Sequence, residues 1–296
     1  MTESDKGPGS VPVSVVILTR NEEVNIARCV GAVAWSDDIV VVDDGSTDRT
    51  VALAEAGGAR IVRHKFVSFA AQRNWAMEAA GLKHDWVLHL DADEVVTPEL
   101  WQEIQQALKN ADDSTVAFRM CRRTMLLDSW LKYSDGFPVW IMRLVRQGRV
   151  EFEDCGHGEV AVPEVAGTMG VIREPFLHFA FSKGLTDWID RHNRYSTREA
   201  ELELRQYSGL KWKNLFSFDR AVRRSALRSL SRRLPFRPAF RFFYQYVVQR
   251  GCLDGRAGWT FSRMMAMYEG WIVMKRQEMR RSRKGQPSVE EQPRSV

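Results

Sequence analysis

Buried-strand patterning recurs four times in the N-terminal part of the chain. Val13 to Leu18 reads Val-Ser-Val-Val-Ile-Leu, the near-continuous β-branched run of a parallel strand covered on both faces. After the polar break Thr19-Arg20-Asn21-Glu22-Glu23, apolar residues return at helical spacing as Ile26, Cys29, Val30 and Val33. Asn21 is placed as N-cap of that helix, with the two glutamates in its first turn. Ile39 to Val42 predicts a second strand. Asp43-Asp44-Gly45-Ser46-Thr47-Asp48 follows as a polar turn whose Ser and Thr cap a helix through Val51 and Ala54, and Gly57-Gly58 stops it. Arg60 to His64 predicts a third, shorter strand, and Ala70 to Ala80 a helix carrying Gln72, Arg73 and Asn74. Trp86 to Leu90 is the fourth strand. Thr97-Pro98 then opens a helix as N-cap and N1, running to about Lys109.

Strands alternating with helices in this way predict an α/β fold, an open, mostly parallel sheet with helices on both faces. In such sheets ligands sit beyond the carboxyl ends of the strands. That rule brings three polar loops, Thr19 to Glu22, Asp43 to Asp48 and Asp91 to Glu94, to one crevice. No G-x-G-x-x-G follows the first strand, which argues against a dinucleotide site; acidic loops point to a nucleotide whose phosphates are held through a metal. Beyond Lys109 the pattern turns antiparallel, with Val116, Phe118 and Met120 alternating against Ala117, Arg119 and Cys121, and strands over Val139 to Leu144 and Val150 to Phe152. Leu185 to Arg205 reads as a helix whose Trp188, Ile189, His192 and Tyr195 form a packing stripe.

The fourth strand ends in Asp91-Ala92-Asp93-Glu94. If the chain stays extended, Asp91 and Asp93 lie on the same side of the strand end, where two carboxylates repel unless a cation or proton sits between them. An all-oxygen pair favours a hard divalent ion such as Mg²⁺ or Mn²⁺; the alternative is a solvated acidic turn.

Composition narrows the classes. The 296 residues are 44% hydrophobic, and the net charge of +5 is unevenly spread. Cys29, Cys121, Cys155 and Cys252 lie far apart, which fits a reducing compartment and neither a zinc site nor a disulfide framework. Neither a signal peptide nor an uninterrupted apolar run of spanning length is expected. From Arg205 to Arg250 many arginines and lysines interleave with Trp212, Phe216, Leu227 and Leu234, with Asp219 the only acid. Such a basic amphipathic surface is drawn to anionic lipid; nucleic-acid binding or a solvated face are the competing readings. The expected organisation is a disordered 1–11, a catalytic 12–205 with a nucleotide-sugar half (12–110) and an acceptor half (111–205), a basic helical 206–279 and a disordered 280–296.

With these blocks in place the chain resembles family 2 glycosyltransferases of the GT-A fold. Val13 to Glu22 resembles the family's opening strand and T-x-N-E loop, Val41 to Asp48 its most recognisable block, and Leu90 to Glu94 its D-x-D. More narrowly, the Arg143-Leu144 strand, a His-Gly-Glu segment and Gly251-Cys252-Leu253-Asp254-Gly255 are similar to bacterial enzymes that build lipopolysaccharide core and other surface polysaccharides. The resemblance implies that Asp44 contacts uracil and that Thr19, Asn21 and Glu22 shape the nucleoside pocket. Asp91 would meet the ribose or the metal, and Asp93 would ligate Mg²⁺ or Mn²⁺ on the diphosphate. Arg73 is either a fixed positive charge near the phosphates or a solvated helix arginine. Inversion at the anomeric carbon needs a general base. Glu159 is the first candidate, with Asp154, His157 or Asp135 as alternatives. His178 is a core histidine or an extra metal or phosphate ligand. The implied activity is hexose transfer from a UDP-sugar to a lipid-linked glycan acceptor, by an enzyme peripheral to the cytoplasmic face of the inner membrane. Transfer onto polyprenyl phosphate, or binding of nucleotide sugar or nucleic acid without turnover, are the alternatives.

Overall fold

A computed structural model of the chain describes residues 12–155, 158–163, 167–205 and 236–283. It divides into two compact units, one reaching Gly184 and the other formed by Tyr133–Asp135 and the chain from Leu185.

The first unit holds a sheet in the order β3-β2-β1-β4-β8-β6-β12-β5. Its parallel half comprises β1 (Val13–Thr19), β2 (Ile39–Asp43), β3 (Arg60–Arg63) and β4 (Trp86–Asp91), connected through α1 (Ile26–Ala32), α2 (Thr50–Ala56) and α3 (Phe69–Ala79). The short β5 (Glu94–Val95) leads into α4 (Pro98–Lys109). The end of β6 (Thr115–Leu126) turns back into the small antiparallel β7 (Ser129–Trp130), and β8 (Val139–Arg146) runs antiparallel between β4 and β6. β9 (Val150–Cys155) and β10 (Gly158–Pro163) form a separate antiparallel hairpin. β11 (Thr168–Val171) and β12 (Phe176–His178) both pair with β6 in parallel, and β12 closes on β5.

Strand alternation explains the layers. Val13, Val15 and Ile17 face one side and pack with Ile26 and Val30 of α1, Ala54 of α2 and Leu100 and Ile104 of α4. Val16 and Leu18 face the other, against Ala70, Ala76 and Met77 of α3 and Phe152 of β9. Helices on both faces are what continuous β-branched runs demand, since neither face of β1 tolerates water.

The helix ends are closed in different ways. Thr97 caps α4 as expected, its side chain accepting from the Leu100 amide at 3.2 Å with Pro98 next. Ser68 caps α3 through the Ala71 amide, and Gly58 takes a left-handed φ of 88° just past α2. Asn21, however, does not cap α1. It sits at φ 52° in the preceding loop, and α1 begins after Asn25, so Glu22 and Glu23 precede the helix. The α2 turn is held by Asp48, whose carboxylate accepts from the Thr50 amide, rather than by Ser46 or Thr47.

In the second unit α5 (Gly184–Arg205) packs Ala200 against Tyr268 and Ile272 of the long α7 (Gly255–Arg283). Buried Glu203 accepts from Arg237 at 2.8 Å and Arg276 at 2.7 Å, tying α5 to α7 and to α6 (Arg237–Phe243). Trp188, His192 and Tyr195 pack as a ring cluster, but Ile189 is 41% exposed and does not belong to the predicted stripe. Asp254 accepts from the amides of Tyr133 and Ser134 and from the Ser134 hydroxyl, which gives the Gly251–Gly255 block a structural task. Among the described residues no helix is long and apolar enough to cross a membrane.

Thr97→Ala removes the α4 cap and is expected to lower unfolding stability by about 1 kcal/mol in urea titration, with an unchanged m-value.

Candidate active site

The carboxyl ends of β1, β2 and β4 lie side by side, since Thr19 is in register with Asp43 and Leu18 with Asp91. The first two loops are locked together. Asn21 Oδ1 accepts from the Thr47 amide at 2.8 Å, the Asn21 amide donates to Ser46 Oγ, and the Glu22 amide donates to Thr50 Oγ1. The Glu22 carboxylate accepts from Asn25 and, at 2.6 Å, from Lys183; burial still raises its pKa. Asn21 and Glu22 therefore spend their side chains on loop shape. Asp44 is oriented at both oxygens, by the Phe66 amide at 2.9 Å and by Arg20 at 2.7 Å. Thr19 Oγ1 is buried without a hydrogen-bond partner among the described residues.

Beyond β4 lies a cluster of buried charge. Arg73 of α3, fully buried, donates to Asp91 Oδ1 at 2.7 Å and to Glu159 Oε1 at 3.0 Å. Arg143 of β8 donates to Asp91 Oδ2 at 2.8 Å, to Glu94 Oε1 at 2.7 Å and to Glu159 Oε1 at 3.4 Å. The Glu94 carboxylate also accepts from the Asp91 amide at 3.0 Å. Two guanidiniums thus face three carboxylates, a formal excess of one negative charge. Burial opposes charge on Asp91, yet Arg143 and Arg73 hold its pKa below the ordinary carboxylate range. Glu94 moves the other way, raised by burial despite Arg143.

The sequence-derived residues separate on this geometry. Both oxygens of Asp91 are engaged by arginine. The chain does not stay extended past Asp91; a turn carries Asp93 toward β12, where its Oδ2 lies 3.6 Å from His178 Nε2 and its carbonyl accepts from the Phe179 amide. Burial disfavours a charged His178 ring, but Asp93 raises its pKa above the ordinary histidine value. A carboxylate oxygen beside an imidazole nitrogen is a donor pair that divalent ions accept. Among the described residues no group of three or more His, Cys, Asp or Glu could hold a metal by itself. Arg73 is neither solvated nor a free cation, because its charge is matched by Asp91 and Glu159. Glu159 Oε1 is fixed by both arginines, and the side chain keeps 14% exposure. Asp154 is exposed and sits directly across the hairpin from Glu159. His157 lies outside the described residues, and Asp135 belongs to the second unit.

Arg143 is the member that motif reading underused. The available signal was a charged residue inside the otherwise apolar run Val139 to Val145. His89, two residues before Asp91, is fully buried with both ring nitrogens unpartnered among the described residues, edge-on to Phe152. Burial, then Arg73 and Arg143, push its pKa well below the ordinary value, so it is neutral.

The acidic edge lies beyond the carboxyl ends of the strands, where α/β sheets of this kind bind their ligands, and the comparisons give the family. A family model described as Glycosyl transferase family 2 matches residues 14–160. The lipopolysaccharide core biosynthesis glycosyltransferase LpsC of Rhizobium meliloti is 31% identical over 202 residues, covering 66% of this chain and 72% of that protein. An uncharacterized glycosyltransferase of Rickettsia bellii is 38% identical over 94 residues, and the match spans only 31% of its length. Among solved structures, S. aureus TarS 1-349 matches with a TM-score of 0.43 at 14% identity over 93% of this chain and 92% of that one. Mycobacterium tuberculosis glucosyl-3-phosphoglycerate synthase, in complex with Mn²⁺, UDP-glucose and phosphoglyceric acid, matches with a TM-score of 0.34 at 23% identity, over 38% of this chain and 44% of that one. The chain belongs to glycosyltransferase family 2, and its mixed, largely parallel sheet with helices is the GT-A architecture that the resemblance implied.

The buried neutral His89 carries a pH signature. Its pKa is lower folded than unfolded, so below the unfolded value of about 6.5 only the unfolded chain takes up the proton, and stability falls with acidification by up to about 1.4 kcal/mol per pH unit. His89→Leu removes this component. Chemical unfolding of both proteins between neutral and mildly acid pH is expected to show the wild type losing stability relative to the variant as pH falls; parallel curves would contradict it.

Proposed function

We propose that the protein moves a hexose from a UDP-sugar, with inversion, onto a lipid-linked glycan during lipopolysaccharide or other cell-surface polysaccharide synthesis, acting at the cytoplasmic face of the inner membrane. The observation that carries the reading is the convergence of Asp44, Asp93, His178 and the arginine-clamped Asp91 and Glu159 at one sheet edge of a family 2 chain. Similarity to LpsC over 72% of that protein's length supports the acceptor class.

Asp44, held in orientation by Phe66 and Arg20, presents a carboxylate to the uracil edge, in a pocket shaped by Thr19, Asn21 and Glu22. Asp93 and His178 would hold a Mg²⁺ or Mn²⁺ ion; the donor set fits, and the excess negative charge of the neighbouring cluster favours a cation there. When bound, such an ion neutralises the charge that develops on a departing diphosphate. Asp91 keeps its arginines and is left to orient rather than ligate. The remaining chemistry is removal of the acceptor hydroxyl's proton as the oxygen attacks the anomeric carbon. Glu159 is assigned this role, because Arg73 and Arg143 anchor Oε1 and leave Oε2 to receive the proton. Asp154 across the hairpin is the alternative base.

Glu159→Gln keeps an acceptor for the two arginines but removes the proton-accepting charge. The expected result is UDP binding within a factor of two of wild type with kcat about a hundredfold or more lower. Activity within tenfold of wild type, with Asp154→Asn inactive, would transfer the role to Asp154.

A further inference from the structure

Six of the exposed large apolar residues among the described part of the second unit lie together on one short segment, while others, such as Leu185, Met267 and Met274, are spread over the long helices. Phe236, at 80% exposure, precedes α6, and Phe240, Phe243, Tyr244, Val247 and Val248 follow along α6 and the π-turn Tyr244–Val248, each between 49% and 57% exposed. Their spacing of i, i+3, i+4, i+7 and i+8 is that of a single helical face. The opposite side is used internally. Gln245 is buried and donates to the Ser134 carbonyl, while Phe242 and Tyr246 pack against Trp259. Among the described residues the stripe is a contiguous apolar face left exposed, unlike the singly scattered apolar residues of the long helices.

Its surroundings select the partner. From Phe236 to Tyr268 the basic residues are Arg237, Arg241, Arg250, Arg256 and Arg263 and the only acid before Glu269 is Asp254, whose carboxylate is consumed by Tyr133 and Ser134. Arg250, Arg256 and Arg263 are exposed. Aromatic and branched side chains on one helical face, in a stretch whose exposed charges before Glu269 are arginines, match the headgroup-to-acyl boundary of an anionic bilayer. We propose that the face formed by Phe236, Phe240, Phe243, Tyr244, Val247 and Val248 inserts into the surface of an anionic membrane. The inference rests on the membrane reading above and adds to it a specific, salt-resistant apolar contact.

The test uses the full chain and vesicles of phosphatidylethanolamine with phosphatidylglycerol. Two variants are compared: Phe240→Gln with Phe243→Gln and Val247→Gln, and charge reversal to Glu at Arg223, Arg224, Arg232 and Arg233. Wild type is expected to co-sediment with vesicles at low salt and to retain part of its binding at high salt. The glutamine variant, with an unchanged thermal transition, should partition about a hundredfold more weakly at high salt. An environment-sensitive fluorophore at Val248→Cys, in a Cys252→Ser background, should brighten and shift to the blue only when vesicles are added. Binding that survives the glutamine variant but not charge reversal overturns the inference and leaves the membrane reading standing. No vesicle binding by wild type overturns both. A fluorophore already blue-shifted without lipid, or a dimer that the glutamine variant converts to a monomer, shows that protein covers the face and overturns the inference.

Discussion

Arg143 has to be buried and charged at once, and the first unit is arranged around that requirement. A guanidinium cannot shed its proton, so its desolvation must be offset by carboxylates at hydrogen-bond distance. Asp91, Glu94 and Glu159 supply them, and Arg73 reduces the surplus to one negative charge. The five groups arrive from β4, β5, β8, β10 and α3. The separate hairpin and the antiparallel half are therefore fixed to the parallel half by ion pairs as well as by apolar packing. Loss of any one member strands another buried charge, which typically costs 3–5 kcal/mol.

The same constraint sorts the acidic residues into roles. Those whose oxygens are filled by arginine are rigid, and a rigid carboxylate can orient a sugar ring or another catalytic group. Asp93 lies past the turn, where its Oδ2 is 3.6 Å from the imidazole Nε2 of His178. Glu159 is intermediate: one oxygen is fixed and the side chain is partly exposed, a geometry suited to proton transfer at a defined position.

The parallel half was legible because its signals are local. Val13 to Leu18 and Ile39 to Val42 need no distant partner to read as buried strands, and Thr97-Pro98 names its own helix start. The three polar loops followed from the sheet-edge rule alone. What stayed hidden depends on long separations or on backbone exceptions. Arg73 meets Asp91 across 18 positions and Glu159 across 86, and no periodicity ties Arg143 to Asp91 across 52. Asn21 has the composition of an N-cap, but its left-handed φ places it in a loop whose bonds go to Ser46 and Thr47. His178 sits among apolar neighbours in sequence, and only β12 pairing with β5 brings it to Asp93.

In the proposed function, Asp93 with His178 holds a divalent ion on a nucleoside diphosphate at this sheet edge. Calorimetric titration of UDP with and without Mn²⁺, on wild type and on Asp93→Ala, tests it most directly. Mn²⁺-dependent binding that the substitution abolishes, with the fold retained, is the expected result. Binding of equal strength with and without Mn²⁺, or undiminished in Asp93→Ala, would contradict it.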